Sequence, residues 1–343
     1  LRGSHGRIFF TQQKGSSIQE EPKPGQNTVL NIDQDAQRTL YNALFGVLRE
    51  AGLNRAAAIV QDPRDGAVLA MVSFPGYDNN IFSDVVSQAE FEKLFLSPSK
   101  PLFNRVVSGL YHPGSTIKPF FGMAGLQEGI ITPRTSIQNC INITIPNPFK
   151  PDEPSVFKNW REDFGIFNLR RAIANSCNVF FFAVGGGHET IDGLGISRIV
   201  RYLKSAFADA ILGIDFPGEE KGFVPTPEWK QKTTKDNWYL GDTYNVAIGQ
   251  GDLIVSPLWI NSYISAVANG GTIYKPRVVE RIVDGAKNTV KIFEPNPVGR
   301  LPFRDDVITE VRNDMQETVL SGTAKIFQDL PVSVGAKTGT TEV

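Results

Sequence analysis

An α+β domain is the fold that this sequence predicts, and three observations carry it. Strand-like stretches stand near the start and again near the end, while helical stretches fill the middle. No internal repeat divides the chain. Its 343 residues suffice for one large domain or two ordinary ones. Strands grouped apart from helices belong to an α+β architecture, here with a sheet joining distant parts of the chain.

Taken in order, residues 1–27 are polar without a sustained period, and Pro22, Pro24 and Gly25 read as a linker. Residues 29–32 predict a short strand. Asp33 then caps a helix whose apolar positions Ala36, Leu40, Ala43, Leu44 and Val47 keep the helical period as far as Gly52. Residues 56–61 and 67–73 flank Asp62-Pro-Arg-Asp-Gly66, a hairpin signal. Residues 75–82 read as loop. Ser87-Gln-Ala-Glu90 has the form of a capping box and opens a helix to about Leu96. The Pro- and Asn-rich stretch 132–159 predicts a long loop, of a length usually functional or mobile. Asn168 caps a helix through Ala174, and the apolar run 179–184 ends at Gly185-Gly186-Gly187. A helix over about 196–207 precedes a loop holding Pro217, Pro225 and Pro227. Ser256-Pro257, a cap with proline at the first helical position, opens a helix that stops at Gly270-Gly271. Residues 272–283 and 290–293 predict strands, 306–320 a helix closed by Gly322, and 331–340 a final strand.

Composition narrows the function. Lys plus Arg is 35 against Asp plus Glu at 36, so no global field draws nucleic acid or an anionic membrane. The charged fraction of 21 % reads as a solvated surface. No run of 18 apolar residues predicts a membrane span, and no signal-peptide pattern is visible. Cys140 and Cys177 say little about redox compartment. His5, His112 and His188 are dispersed and lack the close pairing of a zinc site, so no metal and no cofactor is expected.

Chemistry concentrates at Ser115-Thr-Ile-Lys118. Two residues three apart share one helix face, close enough for hydrogen bonding, so the Lys118 amine is expected to face the Ser115 hydroxyl. Pro119 cannot sit deep in a helix, so the first turn must lie near Ser115, after the Pro113-Gly114 turn. There the unpaired N–H groups and the helix dipole favour a developing anion, which suits a nucleophilic serine. Alone the motif is weak. Ser176-x-Asn178 and Lys337-Thr-Gly-Thr340 follow it in order, separated by 61 and 161 residues. S-x-x-K, S-D-N and K-T-G occur together in β-lactamases and penicillin-binding proteins.

Longer matches surround these motifs. Residues 101–118, Pro-Leu-Phe-Asn-Arg-Val-Val-Ser-Gly-Leu-Tyr-His-Pro-Gly-Ser-Thr-Ile-Lys, resemble the approach to the nucleophile in class B penicillin-binding proteins, especially the elongation type. Gly66-Ala-Val-Leu-Ala-Met-Val-Ser-Phe-Pro75, Gly249-Gln-Gly251 and Ser321-Gly-Thr-Ala324 also look like that family. The likeness covers roughly residues 29–340. Leu1-Arg-Gly-x-x-Gly6 is similar to the end of the family's pedestal domain. Asn178 and His112 read as variation on the pattern.

The resemblance implies a transpeptidase fold of the serine β-lactamase type: an antiparallel sheet with helices on both sides, plus an all-helical subdomain. Residues 1–27 would be a remnant of the pedestal domain and its linker, and 28–343 a C-terminally truncated transpeptidase domain. The family's membrane helix and its strands beyond K-T-G would be missing. By the same resemblance the chain is a D,D-transpeptidase on the outer face of a bacterial cytoplasmic membrane. It would cross-link peptidoglycan stem peptides through a serine acyl-enzyme, be inhibited covalently by β-lactams, and work beside a membrane glycosyltransferase. Ser115 would be the nucleophile and Lys118 its base. Ser176 would relay the proton, and Asn178 would orient Lys118 and the substrate amide. Lys337 and Thr338 would hold the terminal carboxylate, and Gly339 would leave room for the substrate. Backbone N–H groups of Ser115 and Thr340 would form the oxyanion hole.

The residues argue for this chemistry independently, since a serine needs an adjacent base and a Ser–Lys pair can supply one. A lysine is a base only when neutral. Lowering its pKa from about 10.4 towards 7 takes on the order of 4–5 kcal/mol. A helix N-terminus contributes about 0.3–1 kcal/mol. Burial and repulsion by Lys337 must therefore dominate.

Other residues read more plainly. His112 is expected as a loop residue, Cys177 as a buried thiol, Asn175 as a cap, and Gly249-Gln-Gly251 as a turn or packing element. Competing functions are a β-lactamase or D,D-carboxypeptidase, which would pass the acyl group to water, and a non-catalytic penicillin-binding receptor or scaffold.

Overall fold

The computed structural model describes residues 7–10, 17–20, 25–82, 86–147, 150 and 152–341. The Leu1-Arg-Gly-x-x-Gly6 match lies outside the described residues. In the polar opening segment, β1 (Arg7–Phe10) and β2 (Ser17–Glu20) pair antiparallel.

The expected early elements follow. After β3 (Asn27–Leu30), Asp33 caps α1 (Gln34–Glu50) by accepting from the N–H groups of Asp35 and Ala36. The hairpin forms as β4 (Ala56–Gln61) and β5 (Val68–Phe74). In β5 every second residue, Val68, Ala70, Val72 and Phe74, is buried, the period of a half-buried strand. The Ser87–Glu90 capping box is present at α2 (Gln88–Phe91), continued by a wider turn over Glu92–Leu96.

The middle of the chain is helical and buried. It comprises α3 (Lys118–Gln127), α4 (Leu169–Ala174), α5 (Asn178–Gly186) and α6 (Gly195–Ser205). Residues 118–126 of α3 and 179–185 of α5 are all buried. A helix apolar on every side belongs in the centre of a large core. Phe120 of α3 meets the rings of Trp259, Tyr263 and Phe303 there.

The loop expected over 132–159 is instead largely a hairpin, β6 (Ser136–Ile145) with β7 (Ser155–Asn168). Its register slips between Gln138 and Cys140 and again between Cys140 and Asn142, and Asn139 has φ +57°. Bulges break strict alternation, and the Pro-rich connection hid the pairing. The loop after Pro217 contains α7 (Pro227–Thr234) and α8 (Leu240–Ala247). Thr226 caps α7 ahead of Pro227, the same signature as Ser256-Pro257. Small Gly185 lets α5 close on α8: a Cβ there would stand 2.3 Å from the Ala247 Cβ.

Next come α9 (Pro257–Asn269), β8 (Thr272–Tyr274), β9 (Val279–Val283), β10 (Thr289–Ile292), β11 (Pro297–Arg300) and α10 (Asp305–Leu320). The strand expected over 272–283 breaks at Pro276, which has no N–H for a ladder. β3 pairs with β9, and β9 with β10, so a sheet does join the start of the chain to its late part. Segment 331–340 is not a strand. Among the described residues none pairs with it in a ladder, and Ala336 donates its N–H to Met315 of α10 instead.

Candidate active site

The Ser115 turn is held from three sides. Gly114–Ile117 forms a 3₁₀ turn running into α3, with Pro119 in the first turn, where its missing N–H costs nothing. Gly114 sits at φ +53° and donates its N–H to the Gly249 carbonyl at 2.8 Å. Gly249 itself has φ +78°, and a Cβ on it would come within 2.2 Å of the Gly114 oxygen. That contact gives Gly249-Gln-Gly251 the packing role expected of it. From the core, buried Tyr263 donates its hydroxyl to the Thr116 carbonyl. On the third side lies Gly339, where a Cβ would stand 2.7 Å from the Thr116 methyl. In this structure its missing side chain admits the Ser115 turn.

The second stretch is a helix end in a constrained conformation. Cys177 N–H bonds back to the Ala172 carbonyl and Ser176 N–H to that of Ile173, a Schellman closure of α4. The left-handed position of that motif usually takes glycine; Ser176 occupies it here at φ +57°. The turn aims Ser176 and Asn178 at Lys118, which is fully buried. Lys118 Nζ lies 2.7 Å from the Ser176 carbonyl, 2.6 Å from Asn178 Oδ1 and 3.3 Å from Ser176 Oγ. The hydrogen bond expected between Ser115 and Lys118 is not formed among the described residues: the acceptors of Ser176 and Asn178 take the amine instead, so it faces their turn.

Lys337 completes the cluster by donating to Ser176 Oγ at 2.9 Å and to the Thr338 carbonyl at 2.7 Å. Among the described residues no carboxylate contacts Lys118 or Lys337. Burial first, and the neighbouring Lys337 charge second, hold the Lys118 amine well below its usual value. Burial lowers half-buried Lys337 to about 7. These are the two causes the sequence required. Thr338 shares a 2.7 Å hydroxyl contact with Thr323, whose N–H bonds the Ala174 carbonyl at the end of α4.

A cavity of about 550 Å³ opens over Ser115, Ser176, Asn178, Thr338, Gly339 and Thr340. Sequence reasoning missed its other wall. Lys158, Asn159 and Trp160 of β7 line it, with Ile248, Gln250 and Thr323. Asn159 Oδ1 accepts the Asn178 N–H at 2.8 Å, and Trp160 stands 55 % exposed. The available signal was the Ser-Val-Phe-Lys-Asn-Trp run of strand formers, masked by its prolines.

One expectation needs revision here. Cys177 is no free thiol: it is bonded to Cys140 of β6, and both cysteines are buried. His112 is a loop residue as expected, its Nδ1 2.9 Å from the Leu253 carbonyl. Among the described residues no group of three or more His, Cys, Asp or Glu could hold a metal ion.

The family model for the penicillin-binding protein transpeptidase domain matches residues 56–343. The chain belongs to the penicillin-binding protein transpeptidase family. The resemblance carried by its motifs is borne out, and with it the α+β fold. This transpeptidase-family chain is 32 % identical over 328 residues to the peptidoglycan D,D-transpeptidase MrdA of Acinetobacter baumannii, covering 94 % of this chain and 46 % of that protein. It thus spans less than half the length of that curated relative. The crystal structure of Pseudomonas aeruginosa PBP2 in complex with WCK 5153 matches with TM-score 0.78 and 32 % identity, over 94 % of this chain and 69 % of the other. A structure described as coordinating polymerization and crosslinking in a peptidoglycan synthase complex matches with TM-score 0.79 and 32 % identity, over 100 % and 59 %.

Proposed function

We propose that the protein is a peptidoglycan D,D-transpeptidase acting through an acyl-enzyme on Ser115. The observation that carries this is the environment of Lys118: buried, without a carboxylate, and beside a second lysine. A neutral amine has two N–H donors and one lone pair. The Ser176 carbonyl and Asn178 Oδ1, at 2.7 and 2.6 Å, can take both hydrogens and leave the lone pair to accept a proton.

In the proposed reaction Lys118 takes the Ser115 proton as Oγ attacks the carbonyl carbon of the D-Ala–D-Ala bond. Backbone N–H groups of Ser115 and Thr340 receive the oxyanion; one such donor is typically worth about 10²–10³ in rate. The proton passes by way of Ser176 to the leaving nitrogen, the C–N bond breaks, and D-Ala departs. The amine of a neighbouring stem peptide then attacks the ester, and Ser115 regains its proton. Lys337 and Thr338 bind the terminal carboxylate. Catalytic hydrogen bonds often tighten only with substrate present, which accommodates a Lys118 turned towards Ser176 in the free enzyme.

The proposal extends to the whole protein. Residues 1–27 belong to a pedestal region and 28–343 to the transpeptidase domain. The site lies on the outer face of a bacterial cytoplasmic membrane, with a glycosyltransferase as partner and β-lactams as covalent inhibitors. Among the described residues no helix is long and apolar enough to cross a membrane.

Mass spectrometry of the full-length protein after penicillin treatment tests this. A persistent acyl adduct on Ser115, absent in Ser115→Ala, is expected. No adduct would support the non-catalytic receptor, and rapid release of hydrolysed penicillin the hydrolase.

A further inference from the structure

The turn that carries Ser176 and Asn178 is strained and is held from outside. Ser176 has a Cβ at φ +57°, a conformation that residues with a Cβ rarely adopt and that persists only when its surroundings impose it. The β6–β7 hairpin supplies that constraint. Cys140 is bonded through sulfur to Cys177, the residue between Ser176 and Asn178. Asn159 then closes a ring: its Oδ1 accepts the Asn178 N–H at 2.8 Å, while its Nδ2 donates to the Cys140 carbonyl at 3.1 Å and the Arg161 carbonyl at 2.7 Å. Trp160 Nε1 and Arg161 Nη2 reach the carbonyl and side-chain oxygen of Asn175, at 3.3 and 3.1 Å.

We infer that the Cys140–Cys177 disulfide and Asn159 are positioning groups for the acylation step, setting the Ser176–Asn178 turn so that its two acceptors hold the Lys118 amine in place. The inference rests on the reading of Ser115 as the acylated residue. Neither sulfur touches the reacting atoms; both act through the turn. With the disulfide open, the turn can relax out of its left-handed conformation, and Asn178 Oδ1 and the Ser176 carbonyl drift from Lys118. Among the described residues the ionisable group facing Lys118 is Lys337, with Lys158 on the cavity wall.

Opening the bond is a two-electron reduction. A dithiol such as dithiothreitol attacks one sulfur as thiolate, the S–S bond breaks to give a mixed disulfide, and the second thiol closes the reagent's own ring. Two thiols remain on Cys140 and Cys177, and the dithiol is oxidised. Because both cysteines are buried, at 0 and 1 % exposure, this exchange requires the hairpin to open locally.

The test uses the full-length protein and a fluorescent penicillin, with the acylation rate measured from about pH 6 to 10, well below the melting transition. Cys140→Ala/Cys177→Ala should acylate at least ~10-fold slower at pH 7, with the acid limb of its profile displaced to lower pH, because an ammonium that loses its two close acceptors gives up its proton more readily. Wild type reduced by dithiothreitol should behave the same and recover on reoxidation. Asn159→Ala, which keeps the disulfide, should move the limb in the same direction. If the double variant does not fold, reduced wild type and Asn159→Ala still decide the matter. An unchanged rate and acid limb in those proteins would overturn the inference. A wild-type protein that never acylates would instead overturn the Ser115 reading.

Discussion

Ser176 combines two demands that pull against each other. Its hydroxyl is within reach of both lysines, yet its backbone occupies a conformation suited to glycine. Ser176→Gly should therefore be more stable than Ser176→Ala by about 1 kcal/mol, because alanine keeps the Cβ and glycine does not. Both should acylate more slowly than wild type. Urea midpoints compared with penicillin acylation rates check this, and an alanine variant as stable as the glycine one would refute the strain. The lysine pair gives a second expectation. Removing a like charge makes protonation of Lys118 easier, so Lys337→Met should shift the acid limb of acylation to higher pH. Burial, the larger cause, remains, so the limb should stay below the range of an ordinary lysine. A limb that moves downward would show that Lys337 does not repel Lys118.

Between elements, α4 and α10 are joined by a buried carboxyl. Asp314 is 1 % exposed and accepts from Arg170 Nε at 2.8 Å. Burial raises its pKa to about 6, against the opposing Arg170 hydrogen bond. Between roughly pH 4 and 6 the folded protein thus holds a proton that the unfolded chain has released. Stability from this group is present at the acid end and is lost as pH rises through the folded value. The unfolding free energy of wild type relative to Asp314→Asn should accordingly fall across that window and level off above it. Urea titrations over a pH series measure this, and a pH-independent difference would refute the raised value. The same pair of helices sets the site: Gly322, just past α10, would place a Cβ 2.2 Å from the Ala174 carbonyl, so only glycine lets that corner close beneath Thr323.

For the molecule as a whole, the candidate site is built from segments scattered between Ser115 and Thr340. The disulfide is the covalent part of that assembly, closing a loop with a sequence separation of 37. Constraining the unfolded chain over such a loop is worth about 3–4 kcal/mol in the chain-entropy account. Removing both cysteines should lower the unfolding free energy by that order, measured by denaturant titration. A loss below about 1 kcal/mol would show that native contacts alone fix the hairpin.

Local chemistry in the sequence determined much by itself. Asp33, Ser87, Asn168 and Ser256 start helices by accepting neighbouring N–H groups, and Pro119 sets where the Ser115 turn must begin. Interactions within a few residues leave their record in order and spacing, so the three motifs were legible, as was the need for burial and a second lysine around Lys118. Tertiary structure alone decided the rest. The bulged β6–β7 hairpin, the bond between Cys140 and Cys177, the Asn159–Trp160 wall and the fit of Gly339 against Thr116 each depend on a partner far away in the chain. So does the absence of a strand at 331–340: an extended run becomes one only when another strand takes its hydrogen bonds, and no local pattern announces whether that neighbour is there.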